Sequence, residues 1–210
     1  MTLLIIESLA VILGILYLIL AAKEDVKCWY AALISSLLFI YTMYQADLIM
    51  QSLLQVFYVI MAIYGWLQWN NKANKKLVLR IKRWRKINHL YAFILIVSLS
   101  ILSGIFLQKF IESKFPFLDA LTTWGAIITT YMVAKKIIEN WIYWFVINSI
   151  SIYLFILREL YLTSALFFIY LIIIIFGYNS WVNKLNKNYR IILKNKKISL
   201  KLIKKLLNSN

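Results

Sequence analysis

The sequence predicts an all-α integral membrane protein: seven transmembrane helices in a 3+1+3 plan of two parallel three-helix repeats joined by a linker helix. Three observations carry that prediction. The chain is 63% hydrophobic with a mean hydropathy of +0.77, whereas soluble domains use about 45–50% apolar residues. Twenty-one of its twenty-four Lys and Arg residues fall on one side of a seven-span ladder. The first three spans also reappear in the last three at a fixed offset of 112 residues.

A spanning helix needs roughly 20 apolar residues, and seven runs approach that length. The first, Leu3–Ala22, has no basic residue before it and carries Glu7 in its early turns, so it reads as a span and not as a cleavable signal. Lys23 and Lys27 follow it, then the second span, Cys28–Tyr44. The third, Ile49–Trp69, ends at a loop with eight basic residues between Lys72 and Lys86. The fourth, Leu90–Phe110, is followed by Lys114, and the fifth is Phe117–Val133. Lys135 and Lys136 precede the sixth, Asn140–Leu157. Arg158 separates it from the seventh, Thr163–Trp181, which leads into a tail with nine basic residues from Lys184 to Lys205. Only Lys109, Lys114 and Arg158 lie on the sparse face. Cytoplasmic loops hold the excess of Lys and Arg, so the amino terminus is expected outside and the carboxyl terminus inside. An even number of spans would split the two large basic blocks across the membrane.

The net charge of +16 is therefore accounted for by topology and does not point to nucleic acid. The tail mixes Lys with Ile and Leu and is expected to lie as an amphipathic helix on the anionic inner leaflet. Cys28 and His89 are each the sole residue of their type. No disulfide, metal site or cofactor is expected, and no catalytic Ser, His and Asp set or phosphate-cradling Gly loop suggests an enzyme.

At the offset of 112, Trp29 meets Trp141, Tyr41 meets Tyr153, Tyr58 meets Tyr170, Gly65 meets Gly177 and Trp69 meets Trp181. Apolar composition produces chance Leu and Ile matches, but not this set in register. Three spans reverse direction; the fourth restores it, so both repeats start on the same side. Sugar-transporting SWEET proteins share that parallel arrangement, and repeat-built membrane proteins commonly hold a substrate at the repeat interface near the midplane. The organisation expected is a first repeat at 1–69, a basic loop and linker helix at 70–116, a second repeat at 117–181 and a basic tail at 182–210.

The sixth span carries the sharpest constellation. Trp141, Trp144 and Asn148 are spaced i, i+3, i+7 and share one helix face, which Ser151 continues. An amide halfway through a span must face protein or a wet cavity, because leaving it unsatisfied in hydrocarbon costs several kcal/mol. Gln51, Gln55 and Tyr58 form a second polar face on the third span, with Gln55 and Tyr58 the deeper pair. Ser36 takes the place of Asn148 in the first repeat; Ser36, Thr129 and Thr130 are weaker signals, since a hydroxyl can bond its own helix. Trp29, Trp69 and Trp181 read as interfacial belt residues. No acid, Lys or Arg occupies the middle of a span, which argues for uncoupled, passive movement. An indole wall without fixed charge suits a cationic aromatic ring.

At these residues the chain resembles the PnuC-type nicotinamide riboside (nicotinamide mononucleotide) transporters. The resemblance is carried by Tyr64-Gly65-Trp66-Leu67-Gln68-Trp69, Phe117-Leu118-Asp119-Ala120-Leu121-Thr122, Glu139-Asn140-Trp141-Ile142-Tyr143-Trp144, Asn148-Ser149-Ile150-Ser151-Ile152-Tyr153 and Gly177-Tyr178 with Trp181. It implies a 3+1+3 fold in a bacterial inner membrane, a homotrimer, and facilitated diffusion of a vitamin precursor that a cytoplasmic kinase traps by phosphorylation. It also implies substrate contacts at Trp141, Trp144 and Asn148, and at Gln55 and Tyr58. Related branches carry thiamine, riboflavin or deoxynucleosides, so a thiamine carrier is the alternative within transport. A reading of another class is a membrane scaffold that holds a cytoplasmic partner through Lys72–Lys86 or Lys184–Lys205.

Overall fold

The computed structural model describes residues 2–45, 49–70, 79–110, 115–157 and 161–207. Among these it is all-helical, with α1 (Thr2–Lys23), α2 (Cys28–Gln45), α3 (Ile49–Trp69), α4 (Lys86–Phe110), α5 (Pro116–Ala134), α6 (Asn140–Leu157) and α7 (Tyr161–Leu207). Six of the seven match the expected spans to within about a turn. The seventh does not stop at Trp181: helix continues unbroken to Leu207. Nothing between Tyr178 and Leu207 is Gly or Pro, so neither of the two strongest helix breakers stands between the apolar part and the basic tail.

Among the described residues, five helical stretches are long and apolar enough to cross a membrane: Leu3–Lys23, Lys86–Phe110, Pro116–Ala134, Asn140–Leu157 and Thr163–Ile191. The apolar stretches of α2 and α3, Cys28–Thr42 and Leu54–Trp69, are shorter. Outward positions are occupied by large apolar side chains such as Leu4, Ile60, Leu102, Phe145 and Phe176. A helix satisfies its backbone internally, so such a surface can face hydrocarbon without exposing polar groups.

α1 packs on α2 and α2 on α3; α5 packs on α6 and α6 on α7. The two trios meet where α1 touches α7 and where α3 touches α5, while α4 packs on α5. Small and hydroxyl residues permit these approaches. Ser35 Oγ donates to the Ala10 carbonyl at 2.7 Å, Ser52 Oγ to the Ile40 carbonyl at 3.2 Å, and Trp124 Nε1 to Ser103 Oγ at 2.8 Å.

The turns after α1 and α5 are built alike. Glu24 N–H donates to the Ala21 carbonyl and Asp25 N–H to Leu20; Lys136 N–H donates to Val133 and Ile137 N–H to Met132. Each is a Schellman closure, whose left-handed position usually falls to Gly. Here it falls to Glu24 (φ 63°) and Lys136 (φ 53°), the two non-glycine residues with positive φ among those described. Their separation is the same 112 residues as the sequence repeat.

Candidate functional site

α6 presents Trp141, Asn148 and Ser151 as buried residues on one face, with Trp144 half-buried beside them. Asn148 Nδ2 donates to the Trp144 carbonyl at 2.7 Å. That bond engages one hydrogen of an amide that has two, plus a carbonyl acceptor. The side chain is thus held against its own helix, 4% exposed, rather than turned to the outer surface. Gln55 and Tyr58 are half-buried on α3, with the Tyr58 ring 5.7 Å from Phe57. α3 and α6 do not pack on each other among the described residues; both pack on α5. The expected site residues therefore lie on two helices that do not pack on each other, Trp141, Trp144 and Asn148 on α6 and Gln55 and Tyr58 on α3. The side chain of Gln51 lies outside the described residues.

On α5, Thr129 Oγ1 bonds the Gly125 carbonyl at 2.7 Å and Thr130 Oγ1 bonds Ala126 at 2.8 Å. Both hydroxyls are spent on their own helix, as the weaker weighting of these residues anticipated. His89 is half-buried at the start of α4, with Nδ1 3.0 Å from Tyr143 Oη and its ring 5.5 Å from Trp84. No cluster of three or more His, Cys, Asp or Glu residues occurs among the described residues.

The belt reading of three tryptophans is corrected by the structure. Trp29 and Trp181 are buried, 2% and 0% exposed, and Trp69 is half-buried. Each makes internal contacts instead of facing lipid. The indole of Trp29 lies on Gly65 and that of Trp141 on Gly177, so close that a Cβ at either glycine would overlap the ring. Trp29 meets Trp69 edge-on at 5.4 Å and 87°, and Trp141 meets Trp181 at 5.5 Å and 87°. Trp69 and Trp181 come together across the two trios at 6.1 Å. Their ring nitrogens also cross, Trp69 Nε1 to the Ala134 carbonyl at 3.1 Å and Trp181 Nε1 to Ala21 at 3.0 Å. The indole nitrogens of Trp29 and Trp141 and Asn140 Oδ1 are buried without a protein partner among the described residues.

Around this tetrad stand the charges of the basic end. Lys136 Nζ bonds Glu24 Oε1, and Lys184 Nζ reaches Glu24 Oε2 at 3.3 Å. Lys136 Nζ also lies 4.7 Å from the centre of the Trp69 ring. Sequence reasoning missed Glu24 and Lys136. The signal was present, since the offset of 112 superposes them, but an acid over a base looks like a mismatch until the two are seen to touch.

The sequence model of the nicotinamide mononucleotide transporter family matches residues 4–183. The nicotinamide riboside transporter PnuC of Escherichia coli (strain K12) is 28% identical over 203 residues, covering 85% of each chain. The riboflavin/roseoflavin transporter RibM of Streptomyces davaonensis is 22% identical over 186 residues, covering 87% of this chain and 86% of the relative. Among solved structures, a crystal structure of the vitamin B3 transporter PnuC is similar with a TM-score of 0.70 at 21% identity, covering 87% of this chain and 82% of that one. At that identity the likeness concerns the fold.

Proposed function

The chain belongs to the nicotinamide mononucleotide transporter family, a family of multi-pass membrane transporters and not of enzymes, and from that premise we propose that it imports nicotinamide riboside by facilitated diffusion. The observation that carries the proposal is the α6 face on which a buried, helix-anchored Asn148 stands one turn from Trp144. An amide with hydrogen-bonding capacity beside an indole suits a carboxamide-bearing pyridinium ring. The indole face would contribute roughly 2 kcal/mol or more toward a desolvated cation. Gln55 and Tyr58 would meet the substrate from α3. Trp141 would act mainly through its packing beneath the site.

All seven helices span in this reading, as two parallel trios about an axis along the membrane normal. Support comes from the matching packing order of the trios and from closures and Trp–Gly seats that recur at one sequence offset. The excess of Lys and Arg at one end supports a reading with that end in the cytoplasm of a bacterium and the amino terminus outside. Trapping by a cytoplasmic kinase and assembly as a homotrimer come from the family resemblance. The likeness to a riboflavin/roseoflavin transporter favours a second reading, in which the same scaffold carries a flavin.

Calorimetric titration of the purified protein with nicotinamide riboside, thiamine and riboflavin separates these readings. The expected result is saturable binding of nicotinamide riboside, weakened about tenfold or more by Trp144→Ala and by Asn148→Ala, the loss that follows when a stacked or hydrogen-bonded contact is removed. Binding of thiamine or riboflavin alone would reassign the substrate. Unchanged affinity in both variants would remove the site.

A further inference from the structure

A left-handed backbone is strained for a non-glycine residue and persists where the surrounding structure over-determines it, often at switch regions. Glu24 and Lys136 both adopt it, where glycine would be the unstrained choice. The chain instead places opposite charges at these two positions, and the side chains bond each other across the boundary between the trios. The pair is largely shielded from solvent, with side chains 20% and 10% exposed.

The contacts around it share one property. Trp69 to Trp181, Trp69 Nε1 to Ala134, Trp181 Nε1 to Ala21 and Lys184 to Glu24 all join an element of one trio to an element of the other. A passage between the trios cannot open at this end while they hold.

We infer that the Glu24–Lys136 ion pair is a latch that holds a four-tryptophan gate closed between the trios at the basic end, and that its release sets the rate of substrate exit there. The inference rests on the transport reading for what passes the gate, but not for the latch itself. Glu24 and Lys136 are positioning residues: they act through Trp29, Trp69, Trp141 and Trp181 and touch no substrate.

The chain contains its own reporter. Cys28, its one cysteine, is a free, fully buried thiol next to Trp29 and within the apolar cluster that includes Trp141 and Trp181. Labelling of Cys28 by N-ethylmaleimide in the full-length protein in nanodiscs therefore reads opening of this end. Glu24→Gln and Lys136→Met should each speed labelling about tenfold or more, since removing one partner of a buried pair leaves the other uncompensated. The double variant should be no faster than the faster single one, because both changes break one interaction. Glu24→Gly distinguishes a latch from a turn-former. It relieves the left-handed backbone, so a residue that merely shapes the turn predicts labelling as slow as in the parent. The latch predicts labelling as fast as in Glu24→Gln.

Parental labelling rates in Glu24→Gln and Lys136→Met overturn the latch, and so does loss of folded protein in all three single variants, which would make the pair structural. Titration of the same variants with nicotinamide riboside keeps the two proposals apart. Absence of binding in the parent defeats the nicotinamide riboside reading while accelerated labelling still upholds the latch.

Discussion

Whether Trp141 can lie where it does is decided by a single missing methyl group. Its indole rests against the Cα of Gly177, as Trp29 rests against Gly65, and a Cβ at either position would overlap the ring. Gly177→Ala should therefore destabilise the protein by about 1–3 kcal/mol, the usual cost of overpacking a filled interior. A lowered unfolding midpoint in detergent, shared by Gly65→Ala, is the expected outcome; an unchanged midpoint in both would mean that the indoles move aside freely. The offset of 112 pairs Trp29 with Trp141 and Gly65 with Gly177 in the sequence but does not say that each indole touches its glycine. Tryptophan at a span end is commonly an interfacial belt residue, and only packing distinguishes a belt indole from a buried one. For the same reason Asn148 was legible as a residue that must face inward, whereas its bond to the Trp144 carbonyl was not.

Boundaries of whole elements were the most readable feature, because a span is a length of apolar chain and polar residues end it. α2, α3 and α6 begin and end within a residue of where hydropathy places them. α7 exceeds its apolar run because hydropathy measures where lipid stops and not where helix stops. The basic linker held a structure that no periodicity announced. Lys82 N–H donates to the Lys136 carbonyl and Ile138 N–H to the Lys82 carbonyl, so the segment before α4 is stitched as a short parallel bridge to the turn before α6. Glu139 completes the attachment, with Oε2 accepting from Trp84 N–H at 3.2 Å and Oε1 3.6 Å from Arg83. The linker is thereby joined to the very turn that carries Lys136. Glu139→Gln keeps the shape but removes the charge that faces Arg83 and weakens the bond to Trp84. Trypsin should then cleave between Arg80 and Lys86 several-fold faster than in the parent, because proteolysis follows local opening. Equal cleavage rates would show that the backbone bridge alone holds the linker.

At the scale of the whole molecule, the distribution of charge constrains energetics as well as topology. Acidic and basic residues gather at helix ends or in connecting segments, and the middle of each span holds none. A carrier that draws on a proton gradient ordinarily needs an ionisable side chain within the membrane whose charge changes during the cycle. Asn148, Gln55 and Tyr58 offer hydrogen bonds of fixed protonation near neutral pH. In the proposed reading, two like-built trios that close over such a site alternate without an ion, and net flux then follows the substrate gradient and its removal inside. Proteoliposomes make the distinction. Counterflow of labelled nicotinamide riboside should proceed at the same rate with no ion gradient, with a proton gradient of about one pH unit and with a sodium gradient. The membrane potential is a separate variable, because a cationic substrate feels it at about 2.3 kcal/mol per 100 mV whatever the mechanism. Each comparison is therefore made with the potential clamped by potassium and valinomycin. Stimulation by protons or sodium under that clamp would refute uniport and would shift attention to backbone carbonyls as the coupling ligands, since the side chains at mid-span supply no charge to hold an ion.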